Sequence, residues 1–208
     1  MNTEIDLRNI LRQYNKGVFF DTETTDIKNN YIISLSYRVY ERDKDPIIGE
    51  ILCNPCYPIN PAASKINGFT NESVKDYKTF DEQWPTIEPY FRDAIWFGHN
   101  VSFDARALAL EFKRYDIKTP HHYLVDTLAV ARNMLVKGTD VKDHKLITLC
   151  DYFNLHIDPN KFHGSAYDIE MTDMIYRELR RLNRQLGNKY NKIFIPTEVN
   201  GDYSDIVK

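Results

Sequence analysis

The stretch Gly17-Val18-Phe19-Phe20-Asp21-Thr22-Glu23-Thr24-Thr25 decides the reading of this chain. Its first part is apolar and aromatic and follows a glycine, the pattern of a buried β-strand. Two carboxylates then arrive two residues apart, Asp21 and Glu23. In a strand, residues i and i+2 share a face, about 7 Å apart at ~3.3 Å per residue. Two like charges on one face, beside a low-dielectric core, are costly without compensation. A divalent cation supplies it, and hard cations such as Mg²⁺ and Mn²⁺ prefer carboxylate oxygen. A strand ending in a solvated turn would show the same residues, so the matter rests on whether further acids arrive from elsewhere.

Composition narrows the classes. At 208 residues, with 42% hydrophobic content, the chain reads as one domain with a sizeable core. A single domain over 1–187, with its core at about 16–186, and a partly ordered C-terminal tail over 188–208 are expected. The mean hydropathy of -0.52 and the lack of a long apolar run argue against a membrane span. The N-terminus has no basic-then-apolar signal pattern, so a cytoplasmic protein is expected. A net charge of -3 excludes a generic polyanion binder, and nucleic acid would have to be met by a local basic face. Three cysteines do not make a disulfide framework. Cys53 and Cys56 form a lone C-x-x-C with no second pair for zinc, and Cys150 reads as core.

Further strands are expected at Tyr31 to Tyr40 and Ile47 to Cys53, forming an antiparallel meander with the first. Helical spacing marks Ile5 to Tyr14, Phe80 to Arg92, Phe103 to Tyr115, Leu128 to Leu135, Lys145 to Phe153 and Ser165 to about Leu186. Ala94 to Phe97 and Tyr123 to Val125 read as short strands between helices, and Lys137 to Lys145 as a mobile surface loop. Strands first as a meander and then alternating with helices imply an α/β fold, a mixed sheet with helices on both faces.

Two more acids complete the pattern. Asp104 lies in the first turn of a helix leaving a buried strand, where the helix partial charge favours a carboxylate. Asp168 lies seven residues before Ile175. That places it on the same helix face as the apolar stripe Ile175, Leu179, Leu182 and Leu186. Arg177, Arg180, Arg181 and Arg184 take the opposite face, a solvated face or one that tracks phosphates. Four acids with His163 in the loop before the last suit two-metal phosphoryl transfer, in which a neutral histidine takes a proton from the attacking water.

In this order and spacing the sequence resembles the DnaQ-like, or DEDDh, 3′→5′ exonucleases. Phe20 to Thr25 is similar to their first motif, Gly98-His99-Asn100 through Phe103-Asp104 to the second, and His163 to Asp168 to the third. Ile59-Asn60-Pro61 through Thr70 resembles the loop that packs on the 3′-terminal nucleotide, and Asp126 to Arg132 is family-like too. The resemblance implies an RNase H-like fold with a five-stranded mixed sheet in the order 3-2-1-4-5. It implies two Mg²⁺ or Mn²⁺ ions held by Asp21, Glu23, Asp104 and Asp168, with His163 as general base. Thr24, Thr25, Asn67 and Phe103 would lie near the terminal nucleotide. The chain departs from the pattern at Asp26, where a glycine is frequent, and at Ser34, Ser165 and Ile169.

The expected activity is therefore metal-dependent 3′→5′ release of nucleoside 5′-monophosphates from single-stranded ends, DNA favoured over RNA, of a proofreading or repair type. An exoribonuclease and a non-catalytic binding subunit of a polymerase complex are the alternatives. A polymerase or other protein partner is compatible with either.

Overall fold

The computed structural model describes residues 13–158 and 165–199. Apart from its last two residues, the expected leading helix at Ile5 to Tyr14 lies outside them.

The strand that carries the two acids is β1, Lys16–Thr24. It pairs antiparallel with β2, Ile32–Glu41, and parallel with β4, Ala94–Gly98, so it stands in the middle of the sheet. Both of its faces are covered, which is why Val18, Phe19 and Phe20 run on without a polar interruption. Val18 and Phe20 join a core with Trp84, Phe91, Leu108 and Phe112. Phe19 points the other way, against Phe97, Ile175, Tyr176 and Leu179. Aromatic packing is specific on each side: Phe19 stacks on Phe97 at 4.5 Å, and Phe20 meets Trp96 edge-on at 5.5 Å.

The remaining strands are β3, Ile47–Leu52, β5, His122–Asp126, and β6, Thr197–Val199. The sheet order is β3-β2-β1-β4-β5-β6. The expected order 3-2-1-4-5 is present, with a sixth strand added antiparallel to β5. Three residues are too short for a periodic signal, so the sequence did not disclose it. Yet Val199 is 3% exposed and packs into the first core.

The helices are α1, Pro61–Asn67; α2, Asn71–Val74; α3, Phe80–Phe91; α4, Val101–Arg114; α5, Thr127–Met134; α6, Leu146–Tyr152; and α7, Ser165–Gln185. Helix α1 begins with Pro61 after the cap Asn60 and ends at Gly68 in the left-handed conformation (φ 79°), a start and stop that the sequence carries openly. Helix α7 turns slightly differently from the expected stripe. Ile169, Tyr176 and Asn183 are buried along with Ile175 and Leu179, while Leu186 is exposed. Leu186 lies just past the end of the helix, whereas Asn183 in its last turn is buried.

One local expectation is corrected and a second is refined. Residues 137–145 are tied down: the Gly138 amide donates to Val141 O at 2.7 Å, the Val136 amide to Asp140 Oδ2 at 2.7 Å, and His144 Nε2 to Leu135 O at 2.9 Å. The polarity that suggested a free loop is used for internal bonding. The arginine-bearing side of α7 is divided: Arg181 and Arg184 are exposed, as a solvated face requires, while Arg177 and Arg180 turn onto the protein. Arg177 pairs with the buried Asp173 at 2.7 Å, Arg181 with Glu178 at 2.7 Å, and Arg180 lies over the Phe194 ring. Cys53 and Cys150 are buried thiols and Cys56 an exposed one, none of them in a disulfide.

Candidate active site

The β1–β4 ladder runs only from Gly17 to Phe19 opposite Ile95 to Phe97. Beyond it the two strands part, and β1 continues towards Thr24 along β2 alone. This fork lies at the carboxyl ends of parallel strands, where the chain order reverses direction across the sheet, the usual place for a ligand crevice in such folds. Asp21 and Glu23 stand on this free length.

The fork is closed by Asp104. Strand β4 ends at Gly98, the chain turns through Asn100 in the left-handed conformation (φ 67°), and α4 begins at Val101. Asparagine tolerates that conformation better than most residues. Asp104, in the first turn and 4% exposed, accepts two hydrogen bonds at Oδ1: one from the Thr22 amide at 2.9 Å and one from Thr22 Oγ1 at 2.8 Å. The β1 backbone thus fixes an acid from another element. Asp168 reaches the same place from α7.

These carboxylates sense one another. Burial pushes the Asp21 carboxyl well above the ordinary range, and the charges of Asp104, Asp168 and Glu23 push it further. Glu23 is raised to about 7 by burial, then by Asp168 and Asp104, with a hydrogen bond to Asn67 acting the other way. Burial raises Asp104 to about 7 against the opposing pull of the two Thr22 bonds. All-oxygen donors and unbalanced negative charge are what a hard divalent cation needs, so the residues fit such an ion. Among the described residues no three His, Cys, Asp or Glu side chains form a ready-made cation cage. Asp104 Oδ1 is turned to Thr22.

Cavities flank the acids on two sides. One, of about 260 Å³, is bounded by Glu23, Thr24, Ile27, Ile66, Asn67 and Phe103. Thr24, Asn67 and Phe103, expected near a terminal nucleotide, therefore stand together. Asn67 Nδ2 donates to Thr24 O at 3.3 Å, tying α1 to the end of β1. Thr25 does not join them. It is fully buried, donates its hydroxyl to Asn29 O at 2.6 Å and accepts the Tyr31 amide at 3.2 Å, so its side chain holds the turn instead. The second cavity, of about 710 Å³, opens beside Asp168, His99 and Asn100. His163 lies in residues 159–164, outside the described residues.

Several positioning residues were not singled out from the sequence. Asp126 Oδ1 accepts both the Asn100 and the Leu128 amides at 2.9 Å, capping α5 while bracing the turn into α4. An Asp directly before a helical run was the available signal. His99 bridges Thr127 Oγ1 and His144 O, each at 2.9 Å. Asp26, noted as a departure, has a use: Oδ2 accepts Asn60 Nδ2 at 2.9 Å and Oδ1 the Ile27 amide. Its charge is held by these bonds, chiefly Asn60, which lower its carboxyl below the usual range. Ser34 donates to Glu50 Oε1 at 2.7 Å.

Comparison with known proteins agrees with this geometry. The profile of the exonuclease family matches residues 18–176. The chain is 26% identical over 176 residues to DNA polymerase III PolC-type of Bacillus cereus, a match covering 84% of this chain and 12% of that protein. It thus spans only a small part of the curated relatives it matches. Among solved structures it is similar to Exonuclease X in complex with 5′ overhanging duplex DNA, with a TM-score of 0.63, 19% identity, and coverage of 86% of this chain and 99% of the other. It is also similar to the zinc-bound Exonuclease I–single-stranded DNA complex of E. coli, with a TM-score of 0.69, 18% identity, and coverage of 85% and 42%. With its RNase H-like sheet, its acids at the β1–β4 fork and a profile match spanning that whole site, the chain belongs to the DnaQ-like exonuclease family, hydrolases of nucleic acids.

Proposed function

We propose that this protein is a metal-dependent 3′→5′ exonuclease that releases nucleoside 5′-monophosphates from single-stranded ends, DNA favoured over RNA. The observation that carries the reading is the meeting of Asp21, Glu23, Asp104 and Asp168 at one fork, where the charges of Asp104 and Asp168 add to burial in raising Asp21 and Glu23. In this reading these four carboxylates hold two Mg²⁺ or Mn²⁺ ions. When bound, such ions supply a nucleophilic oxygen at neutral pH and neutralise charge on the phosphoryl group.

The chain's own residues do the rest. Thr22 holds Asp104 by two bonds, which fixes α4 against β1. Asn67 bonds Glu23 and the Thr24 carbonyl, so the wall of the smaller cavity moves with the acids. Ile27, Ile66 and Phe103 give that cavity an apolar lining suited to a base and sugar. By the third-motif resemblance, His163 takes the proton of the attacking water. The preference for DNA draws on the polymerase and DNA-complex relatives. A polymerase partner is compatible with those relatives as well.

The test is digestion of matched DNA and RNA oligonucleotides labelled at the 5′ end, with Mg²⁺ or Mn²⁺, beside Asp21→Ala. A metal-dependent ladder shortening from the 3′ end on DNA, lost in Asp21→Ala, is expected. The same ladder on RNA alone would move the reading to an exoribonuclease. No cleavage of either would favour a binding subunit.

A further inference from the structure

The two cavities beside the acids differ in charge. The smaller one is bounded by no lysine or arginine, and Glu23 and Asp26 lie on its wall. The larger one is bounded by Arg132, Lys137 and Lys145. All three are exposed, and among the described residues none has an acidic partner within ion-pair distance. They contrast with Arg177 and Arg181 of α7, which are paired. One acid of the larger cavity, Asp143, feels the charge of Lys145, though the two side chains form no ion pair. Asp143 accepts Thr148 Oγ1 at 2.6 Å and the Lys145 amide at 3.1 Å, and Asp168 belongs to the acid cluster. The segment carrying Lys137 and Lys145 is braced internally, and His99 bonds His144 O beside the acids. The cations are thus carried on a fixed frame.

A strand of nucleic acid is itself asymmetric at its 3′ end. If the phosphodiester nearest that end sits at the carboxylates, no phosphate lies on its 3′ side and every other phosphate lies on its 5′ side. A cavity without cations suits the terminal nucleoside, and a cationic one suits the retained strand. We infer that the cavity of Arg132, Lys137 and Lys145 is a phosphate-binding subsite for the nucleotides on the 5′ side of the scissile bond. It sets the affinity for strands longer than a dinucleotide. The inference rests on the exonuclease reading and adds to it the direction in which the strand leaves the site.

Substrate length is the test. Thymidylyl-thymidine has one phosphodiester, the one cleaved, whereas an octathymidylate presents six more to the 5′ side. The quantity measured is the ratio of kcat/KM for the octamer to that for the dinucleotide, at several salt concentrations. In the Arg132→Glu/Lys137→Glu/Lys145→Glu chain the ratio should fall roughly tenfold or more, and the salt slope should flatten by about 0.7 per cation removed. Lys44→Glu, at the β2–β3 turn on the far end of the sheet, should leave both unchanged. If the triple charge reversal perturbs the melting curve, the set Arg132→Gln, Lys137→Gln and Lys145→Gln gives the same comparison. An unchanged ratio and slope in a folded variant, with the wild type cleaving both substrates, overturns the subsite and leaves the exonuclease reading standing. A wild type that cleaves neither overturns both.

Discussion

Asp104→Asn separates the folding of this protein from its chemistry. Asparagine keeps an oxygen to accept the Thr22 amide and hydroxyl bonds, now 2.9 and 2.8 Å, and removes only the charge. The wild-type carboxyl is raised from the ordinary 3.8 to about 7, chiefly by burial. An acid with a raised folded-state pKa imposes no penalty below its unfolded pKa and its full penalty above its folded one. At about 1.4 kcal/mol per unit, the cost at pH 8 is at most about 4 kcal/mol, and about 2–4 kcal/mol when part is shared with Asp21. For a domain of this size that is a rise in Tm of roughly 5–10 °C for the variant. Thermal unfolding in EDTA should show this gain at pH 8 and a smaller one at pH 5. Activity should be lost throughout. An Asp104→Asn variant that melts at or below the wild type at pH 8 without metal would refute the account of Asp104 as a carboxylate that burial holds at a cost.

Millimolar Mg²⁺ or Mn²⁺ should raise the wild-type Tm by binding linkage and raise that of Asp104→Asn less; equal shifts would count against a shared ion site. Thr22→Val removes one of the two donors to Asp104 and should lower kcat roughly tenfold at similar KM, in line with a charge-assisted bond of about 1.5–3 kcal/mol; an unchanged kcat would show that the amide alone suffices. His122 is buried, donates Nδ1–H to Pro120 O at 2.7 Å and stacks on Trp96 at 3.6 Å. Burial pushes its pKa down from 6.5 to about 4, so its contribution is intact above pH 6.5 and lost as pH falls towards 4. Between pH 7 and 5 that loss is about 2 kcal/mol. Urea midpoints should show it in the wild type and not in His122→Phe, and parallel losses in the two would remove His122 from the account.

Much of this was legible because β1 has two neighbours and two covered faces. Such a strand must be apolar until it reaches the crevice, and the first acids then mark the crevice. Asp168 was legible because an acid on an inward helix face needs a cause, and Asp104 because it opens a helix that leaves a buried strand. What stayed hidden depends on partners far apart in sequence. Nothing near Thr22 says that its amide lacks a strand neighbour and turns to residue 104. Thr25 looks like Thr24 in sequence, and only the turn from Asn29 to Tyr31 removes it from the cavity. Lys137 to Lys145 is polar either way, and its order comes from pairings that composition does not encode. The stripe on α7 slipped because Tyr176 and Asn183 carry polar atoms yet are buried, while Leu186 falls past the helix end and is exposed.

The short strand β6 has a consequence for the edge of the sheet. Its three residues cover His122, Tyr123 and Leu124, whose outward main-chain groups would otherwise face solvent. The rim of the crevice and the rim of the sheet are thus guarded by parts of the chain about 180 residues apart. A chain cut after residue 187, where the apolar periodicity fades, would keep every acid of the fork. It would also present β5 as a bare template to other chains, so its failure would be self-association rather than lost chemistry.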